Sequence, residues 1–291
     1  MNLAASEPTA LAELVAPLTQ AEFLTILRQR KLTLLRAAAA APYTSLLDWN
    51  GLRGVIEAGR YPLEKFCVQR ESVKIPAGFY SEKGRACLRK FDELLRAGVS
   101  IIMESIEQQV PTLAALCENI RMHVPESISI GAIVTTGPGG AIELHYDEED
   151  LLILQIEGSK RWEIYLPTVS NPVKGMSQAM PPQGAPIFDE VLEAGDRLFL
   201  PAGYWHHCRN GPGRSMHLGV FFQPWTAWTA ARNVIAPLRF DELFREPLSR
   251  LDDATQLERI EAAVKDRLID AIKAMSLAET ITRMQQDDSK G

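Results

Sequence analysis

Between residues 128 and 222 the chain is a succession of short apolar or alternating runs, at 128–135, 142–147, 151–157, 161–166, 191–200 and 216–222. Each run is closed by glycine, proline or acidic residues. Runs this short and this regularly interrupted predict strands of an antiparallel sandwich or barrel. Glu157-Gly158 between two of them carries a tight-hairpin signal. The stretch 171–186 is rich in proline, glycine, serine and methionine without a period and reads as a long loop, a candidate lid or substrate contact.

Helical patterns flank this block. Thr19 and Glu22 have capping-box spacing ahead of Phe23, Ile26 and Leu27. Residues 31–36 read as a short strand, 46–57 as a helix stopped at Gly59, and 66–75 as strand. Residues 82–96 read as a helix ended by Gly98, 100–103 as a buried strand and 112–123 as a helix. The alanine run 37–41 fits a helix or a spacer. After Pro224 the strand pattern stops. Trp225 to Leu238, then Leu257, Ile260, Val264, Leu268, Ile272 and Met275, keep helical spacing to about residue 284, with 285–291 polar and frayed and the first dozen residues loose. The expected organisation is a helical or mixed region at 1–127, a barrel at 128–224 and a helical segment at 225–291.

The bulk numbers narrow the function classes. A formal charge of −6 over 291 residues argues against a nucleic-acid-binding surface as a whole, though not against a local basic patch. Cys67, Cys87, Cys117 and Cys208 are scattered without a Cys-x-x-Cys pair, which suits reduced thiols in a cytoplasmic protein better than a disulfide framework. No basic and apolar leader opens the chain, and no apolar run approaches membrane-spanning length.

His145 and Asp147 stand two apart on an expected strand, so their side chains share a face and can hold one edge of a metal ion. A third ligand has three sources: His206, His207 or His217. Because His206 and His207 are adjacent, only one of them can point inward on an extended backbone. Two histidines and one carboxylate on one side of an ion, with the other positions open, is the pattern of non-haem Fe(II) oxygenases. Lys160 opens the strand after Gly158. It either shares the inner face with Trp162, Ile164 and Leu166 and needs an anionic partner, or is solvated at the strand's end.

The runs HYDEEDLLILQIEGSKRWEIYLP (145–167) and GDRLFLPAGYWHHCRN (195–210) resemble the two halves of the metal site in JmjC-type, cupin-fold Fe(II)/2-oxoglutarate oxygenases. The similarity is to bacterial ribosomal-protein hydroxylases and to the asparaginyl hydroxylase of hypoxia-inducible factor. Leu47-Asp48-Trp49 and Ala97-Gly98-Val99 extend it toward the first group. The resemblance implies a mainly β double-stranded β-helix with flanking helices. It implies His145, Asp147 and His206 as iron ligands and Lys160 as the residue that binds the distal carboxylate of 2-oxoglutarate. It implies a dioxygenase that hydroxylates a protein side chain while decarboxylating 2-oxoglutarate to succinate, and a homodimer formed through the helices after the barrel. A small-molecule hydroxylase and a non-catalytic metal-binding cupin scaffold are the alternatives. The hydroxyl side chain that some relatives carry three positions before the first ligand is Ile142 here, so a second contact to the distal carboxylate must come from elsewhere.

Overall fold

A computed structural model describes residues 10–37, 43–70, 73–137, 141–176, 180–250 and 253–288. Residues 1–9, most of the alanine run and residues 177–179 of the long loop lie outside them, whereas the end of the start expected to be loose is ordered: Leu11 and Ala12 open a helix and Leu11 is buried. The chain divides into two compact units, Met1–Gln223 and Pro224–Gly291.

The first unit opens with α1 (Leu11–Val15) and α2 (Gln20–Gln29), whose N-terminus carries the expected reciprocal Thr19–Glu22 capping box. Then come β1 (Thr33–Leu35), α3 (Trp49–Glu57), β2 (Phe66–Arg70) and β3 (Val73–Lys74). The helix expected over 82–96 starts late. A hairpin of β4 (Ser81–Glu82) and β5 (Arg85–Ala86) comes first, and α4 spans Leu88–Arg96. Lys83 and Gly84 both take positive φ, 50° and 75°, the geometry of a two-residue turn that matches strand twist. Next are β6 (Ser100–Met103) and α5 (Pro111–Arg121).

The barrel strands are β7 (Ser127–Thr136), β8 (Ala141–His145), β9 (Asp150–Glu157), β10 (Ser159–Tyr165), β11 (Phe188–Glu193), β12 (Arg197–Leu200), β13 (Trp205–Asn210) and β14 (Arg214–Gln223). All pair antiparallel. The larger sheet runs β1-β12-β9-β14-β7-β6-β2-β3 and the smaller β11-β10-β13-β8. Residues before 127 therefore extend the larger sheet at both ends. Along the chain the strands pass back and forth between the two sheets, which is the wound, two-sheet cupin architecture.

This winding corrects the hairpin expected at Glu157-Gly158. β9 pairs with β12 and β14, β10 with β11 and β13, and they do not pair with each other. Gly158 is a corner between sheets. It has φ +63°, and a Cβ there would lie 2.1 Å from the Arg214 carbonyl oxygen, so only glycine fits. The run expected at 191–200 likewise splits at Gly195 (φ 94°) into one strand in each sheet.

β9 shows why its sequence is apolar throughout rather than alternating. Leu152, Leu154 and Ile156 face a core shared with the helices, whereas Leu151 and Ile153 face a second core between the sheets. A strand covered on both sides carries apolar residues on both sides. Trp162, Ile164, Leu192, Leu198, Leu200 and Cys208 complete the inner core.

The second unit holds α6 (Ala227–Ile235), α7 (Ala254–Lys273) and α8 (Leu277–Asp288). Residues 285–288 are helical rather than frayed. No residue of α7 is buried, and no helix among the described residues is long and apolar enough to cross a membrane.

Candidate metal centre

β8 and β13 are neighbours in the smaller sheet, and their register sets His206 directly opposite His145. The ring centroids are 4.3 Å apart. β8 ends at His145, so strand alternation does not carry Asp147 to the same place. Tyr146 instead buries its ring edge-on against Trp205, centroids 5.0 Å apart, and the Asp147 carbonyl accepts the Gly203 N–H at 2.9 Å. These two contacts tie the segment after β8 to the turn before β13 and swing the Asp147 carboxylate between the imidazoles. Its oxygens lie 3.7 Å from His145 Nε2 and 3.6 Å from His206 Nε2. His145, Asp147 and His206 can each offer a ligand atom within 4.8 Å of the others, and the two separations to Asp147, 3.7 and 3.6 Å, lie under the roughly 4.0–4.4 Å that two bonds to one first-row ion span.

The far nitrogens fix which atoms face the ion. His145 Nδ1 lies 2.7 Å from the Glu143 carbonyl and His206 Nδ1 lies 3.0 Å from the Tyr204 carbonyl. A carbonyl only accepts, so each Nδ1 carries the proton and each Nε2 presents its lone pair. Burial, and next the neighbouring His145, push His206 down to about 4, so it is neutral near pH 7 and ready to ligate. The donor set, the tautomers and the open side toward the cavity all fit a facially bound divalent ion.

The other two histidines go elsewhere. His207 faces away from the cavity and sits 2.9 Å from Glu163 Oε2. His217 on β14 is buried against Trp162, centroids 5.6 Å apart. Burial and the positive Lys160 hold it well below its ordinary value, and it stands apart from the ligand cluster.

β10 starts at Ser159, two residues earlier than the solvated alternative for Lys160 requires. Lys160 consequently points inward with Trp162 and Ile164 and is 1% exposed. Leu166 lies beyond the strand and is exposed. The Lys160 ammonium donates to Thr135 Oγ1 at 3.2 Å, and Thr135 meets Ser100 Oγ at 3.0 Å. Among the described residues no carboxylate pairs with it. Trp162 Nε1 and His217 Nδ1, both buried, also lack partners. An uncompensated ammonium and unpartnered polar atoms inside a barrel are costly unless a ligand completes them. Four residues along β10 separate Lys160 from Ile164, which faces His206, roughly 13 Å of strand. A small diacid can reach from Lys160 toward the metal ligands.

The cavity above these groups measures about 640 Å³. Its inner wall includes Ile142, Trp162, Cys208 and Phe221, and its mouth carries Glu104, Glu143 and Glu149 with Lys174. Burial first, then the charges of Asp147 and Glu148, push the Glu149 carboxyl up to about 7. Lys174 comes from the long loop, which is tied down where Thr168 Oγ1 donates to the Met180 carbonyl. Sequence reasoning did not single out Thr135, Glu149 or the Asp147–Gly203 bond. Glu149 sits in the acidic run after Tyr146, where a sequence signal was present. Thr135 carried none, because its role depends on a neighbour in the other sheet.

Comparison with known proteins places the chain among related sequences. Residues 106–230 match the JmjC domain family. A ribosomal oxygenase 1 from Rattus norvegicus is 25% identical over 248 residues, 80% of this chain and 40% of the relative. A bifunctional lysine-specific demethylase and histidyl-hydroxylase NO66 from Drosophila mojavensis is 27% identical over 157 residues, 52% of this chain and 18% of the relative. The chain thus spans well under half the length of these curated relatives. Among solved structures, YcfD, a ribosomal oxygenase from Escherichia coli in complex with cobalt and 2-oxoglutarate, is similar with a TM-score of 0.57 and 18% identity. That match covers 87% of this chain and 67% of that one, and it bears on the fold.

Proposed function

We infer that this chain, which carries a JmjC domain across residues 106–230, is an Fe(II)- and 2-oxoglutarate-dependent dioxygenase that hydroxylates a protein side chain. The observation that carries the reading is Lys160: a buried ammonium with no counter-charge among the described residues, inside the same barrel as a His-Asp-His cluster. A metal-binding scaffold needs the cluster and has no use for the lysine. The cobalt and 2-oxoglutarate in the similar YcfD structure and the names of the curated relatives support the same chemistry.

His145 and His206 hold the metal through Nε2, and Asp147 holds it through its carboxylate. Bound iron with 2-oxoglutarate supplies dioxygen activation, in which decarboxylation of the cosubstrate to succinate is coupled to insertion of one oxygen atom into a substrate C–H bond. The Glu143 and Tyr204 carbonyls keep both imidazoles in the ligating tautomer. Lys160 binds the distal carboxylate by a charge-assisted hydrogen bond, with the Thr135 hydroxyl beside it. Thr135 therefore stands where the hydroxyl that Ile142 cannot provide is needed. Trp162, Ile142 and Phe221 keep water from the inner wall, which strengthens both contacts.

The mouth sets Glu104 and Glu143, with Glu149 only partly charged near neutral pH, against Lys174, an acidic balance that suits a positively charged peptide segment better than an anionic metabolite. The helical unit is proposed to pair two copies of the chain. Among the described residues of 224–291 only Ala230, Thr280 and Met284 are buried, and Trp228, Phe240, Leu257, Ile272 and Leu277 are exposed. So small a core is marginal by itself. A monomeric mass at micromolar concentration would reverse this point. A cytoplasmic location is proposed from the four cysteines, scattered without a Cys-x-x-Cys pair.

The direct test of the function incubates the protein with Fe(II), 2-oxoglutarate, oxygen and a cell extract depleted of small molecules. Succinate that forms only with iron and oxygen, and a peptide that gains one oxygen, are expected. Oxygen gain confined to metabolites would redirect the reading to a small-molecule hydroxylase, and absence of succinate would leave only a scaffold.

A further inference from the structure

A second cavity, of about 680 Å³, shares no residue with the metal cavity. It lies where α3 and α4 meet the ends of β2, β7 and β14, and Arg53, Arg70, Arg96 and Arg214 all line it. Two of the four are held in place. Arg53 is bidentate on Asp92, and its guanidinium carbon lies 5.5 Å from the centre of the Trp49 ring. Arg214 donates to Glu157 at 2.6 Å and lies 4.7 Å from the same ring. Glu157 also accepts the Trp49 backbone N–H at 3.1 Å. The indole gathers two guanidiniums that would otherwise repel each other. Arg70 and Arg96 are exposed, and no carboxylate among the described residues pairs with either.

The charge balance decides what such a wall can hold. Arg53 is paired by Asp92, with Glu57 also acting on it, and Arg214 by Glu157, which leaves Arg70 and Arg96 as the two positive charges with no carboxylate partner among the described residues, in a chain whose total is −6. A single carboxylate would neutralise one of them. A phosphate group carries about −1.5 to −2 near neutral pH and matches the guanidinium fork. The volume equals the liquid share of roughly twenty waters, room for linked phosphates rather than one. With guanidiniums against the Trp49 ring, a nucleobase gains little from stacking there, so recognition would rest on the phosphates.

We propose that this cavity binds a phosphate-bearing polyanion, with Arg53 and Arg214 as a preset wall and Arg70 and Arg96 as the charges that close on the ligand. The same chemistry is offered by a free oligophosphate and by a stretch of nucleic-acid backbone.

The test uses the whole chain without added metal, in about 0.1 M salt, where long-range steering by exposed charges is already screened. Tripolyphosphate is titrated by calorimetry, and a labelled single-stranded RNA decamer by fluorescence anisotropy. At least one should bind, and the double variant Arg70→Ala/Arg96→Ala should weaken it on the order of tenfold or more. Both positions are exposed, and an unchanged melting temperature will show that the variant is folded. His145→Ala should bind as the native chain does. Tripolyphosphate binding without RNA binding identifies a free ligand. RNA binding that tripolyphosphate displaces identifies a backbone. Binding of neither probe, or binding that the double variant leaves intact, overturns the proposal.

Discussion

The two cavities are nearly equal in volume, about 640 and 680 Å³, and are made in opposite ways. The metal cavity lies inside the barrel, and its histidines are set by strand register, His206 opposite His145; Lys160, opposite Asn210, is buried on the same side of β10 as Trp162, which lines the cavity. The arginine cavity lies where helices meet strand ends, and its groups are set by local ion pairs and one indole. Inside the barrel a single uncompensated charge is costly and therefore informative. At the exposed site each charge is cheap, and only the two arginines left without a carboxylate partner among the described residues carry meaning.

The largest way to break this contrast is His145→Ala. Metal binding should be abolished while the fold and the arginine cavity are untouched, as checked by metal titration beside a thermal melt. Loss of both would mean that the cavities are one cooperative structure. Lys160→Met comes next. It should weaken 2-oxoglutarate binding on the order of tenfold to a hundredfold and leave the metal affinity near native. It should also raise the stability of the ligand-free chain by roughly 1–3 kcal/mol, because an unpaired buried charge is replaced by an apolar side chain of similar length. Denaturant melts with and without 2-oxoglutarate read both effects, and equal loss of metal and cosubstrate would refute the role given to Lys160.

A pair of glycines sharpens the comparison at the next level. A Cβ at Gly219 would come 2.9 Å from Leu151 Cδ1 and 3.1 Å from the Phe221 ring. Gly219→Ala should therefore cost roughly 1–3 kcal/mol. Gly54 in α3, beside the arginine cavity, meets nothing within 4 Å, and Gly54→Ala should stabilise by about 0.5–1 kcal/mol. The same substitution should thus change sign between the two regions. The smallest effect is His207→Ala, which removes a partly exposed contact to Glu163. It should cost less than about 1 kcal/mol and leave metal affinity unchanged.

How much of this could be read beforehand differs by element. β9 was plain, because burial on both faces makes its sequence continuously apolar. β13 was not singled out as a strand, although it supplies one of the clustered histidines. Its run Trp-His-His-Cys-Arg-Asn trades the apolar alternation for site chemistry, and only its pairing with β8 and β10 makes it a strand. His145 and Asp147 were selected for a reason that holds only in part. Strand alternation ends at His145, and Asp147 is brought in by Tyr146 packing and the Gly203 N–H, a contact between residues far apart in sequence. Lys160 was ambiguous because one residue of strand start decides its face. The corner at Gly158 was misread as a hairpin because a positive-φ glycine between two strands looks the same locally, whether the strands then pair or part into different sheets. The arginine cavity could not be read at all, since Arg53, Arg70, Arg96 and Arg214 meet only in the fold.

The central claim is that His145, Asp147 and His206 hold one ferrous ion from one side while Lys160 receives the far end of 2-oxoglutarate. Anaerobic titration of Fe(II) and 2-oxoglutarate, followed by visible absorbance, tests it most directly. A charge-transfer band should appear only when both are present, vanish in His145→Ala, and require much more 2-oxoglutarate in Lys160→Met. A native protein that gives no band, or a band that survives His145→Ala, would contradict it.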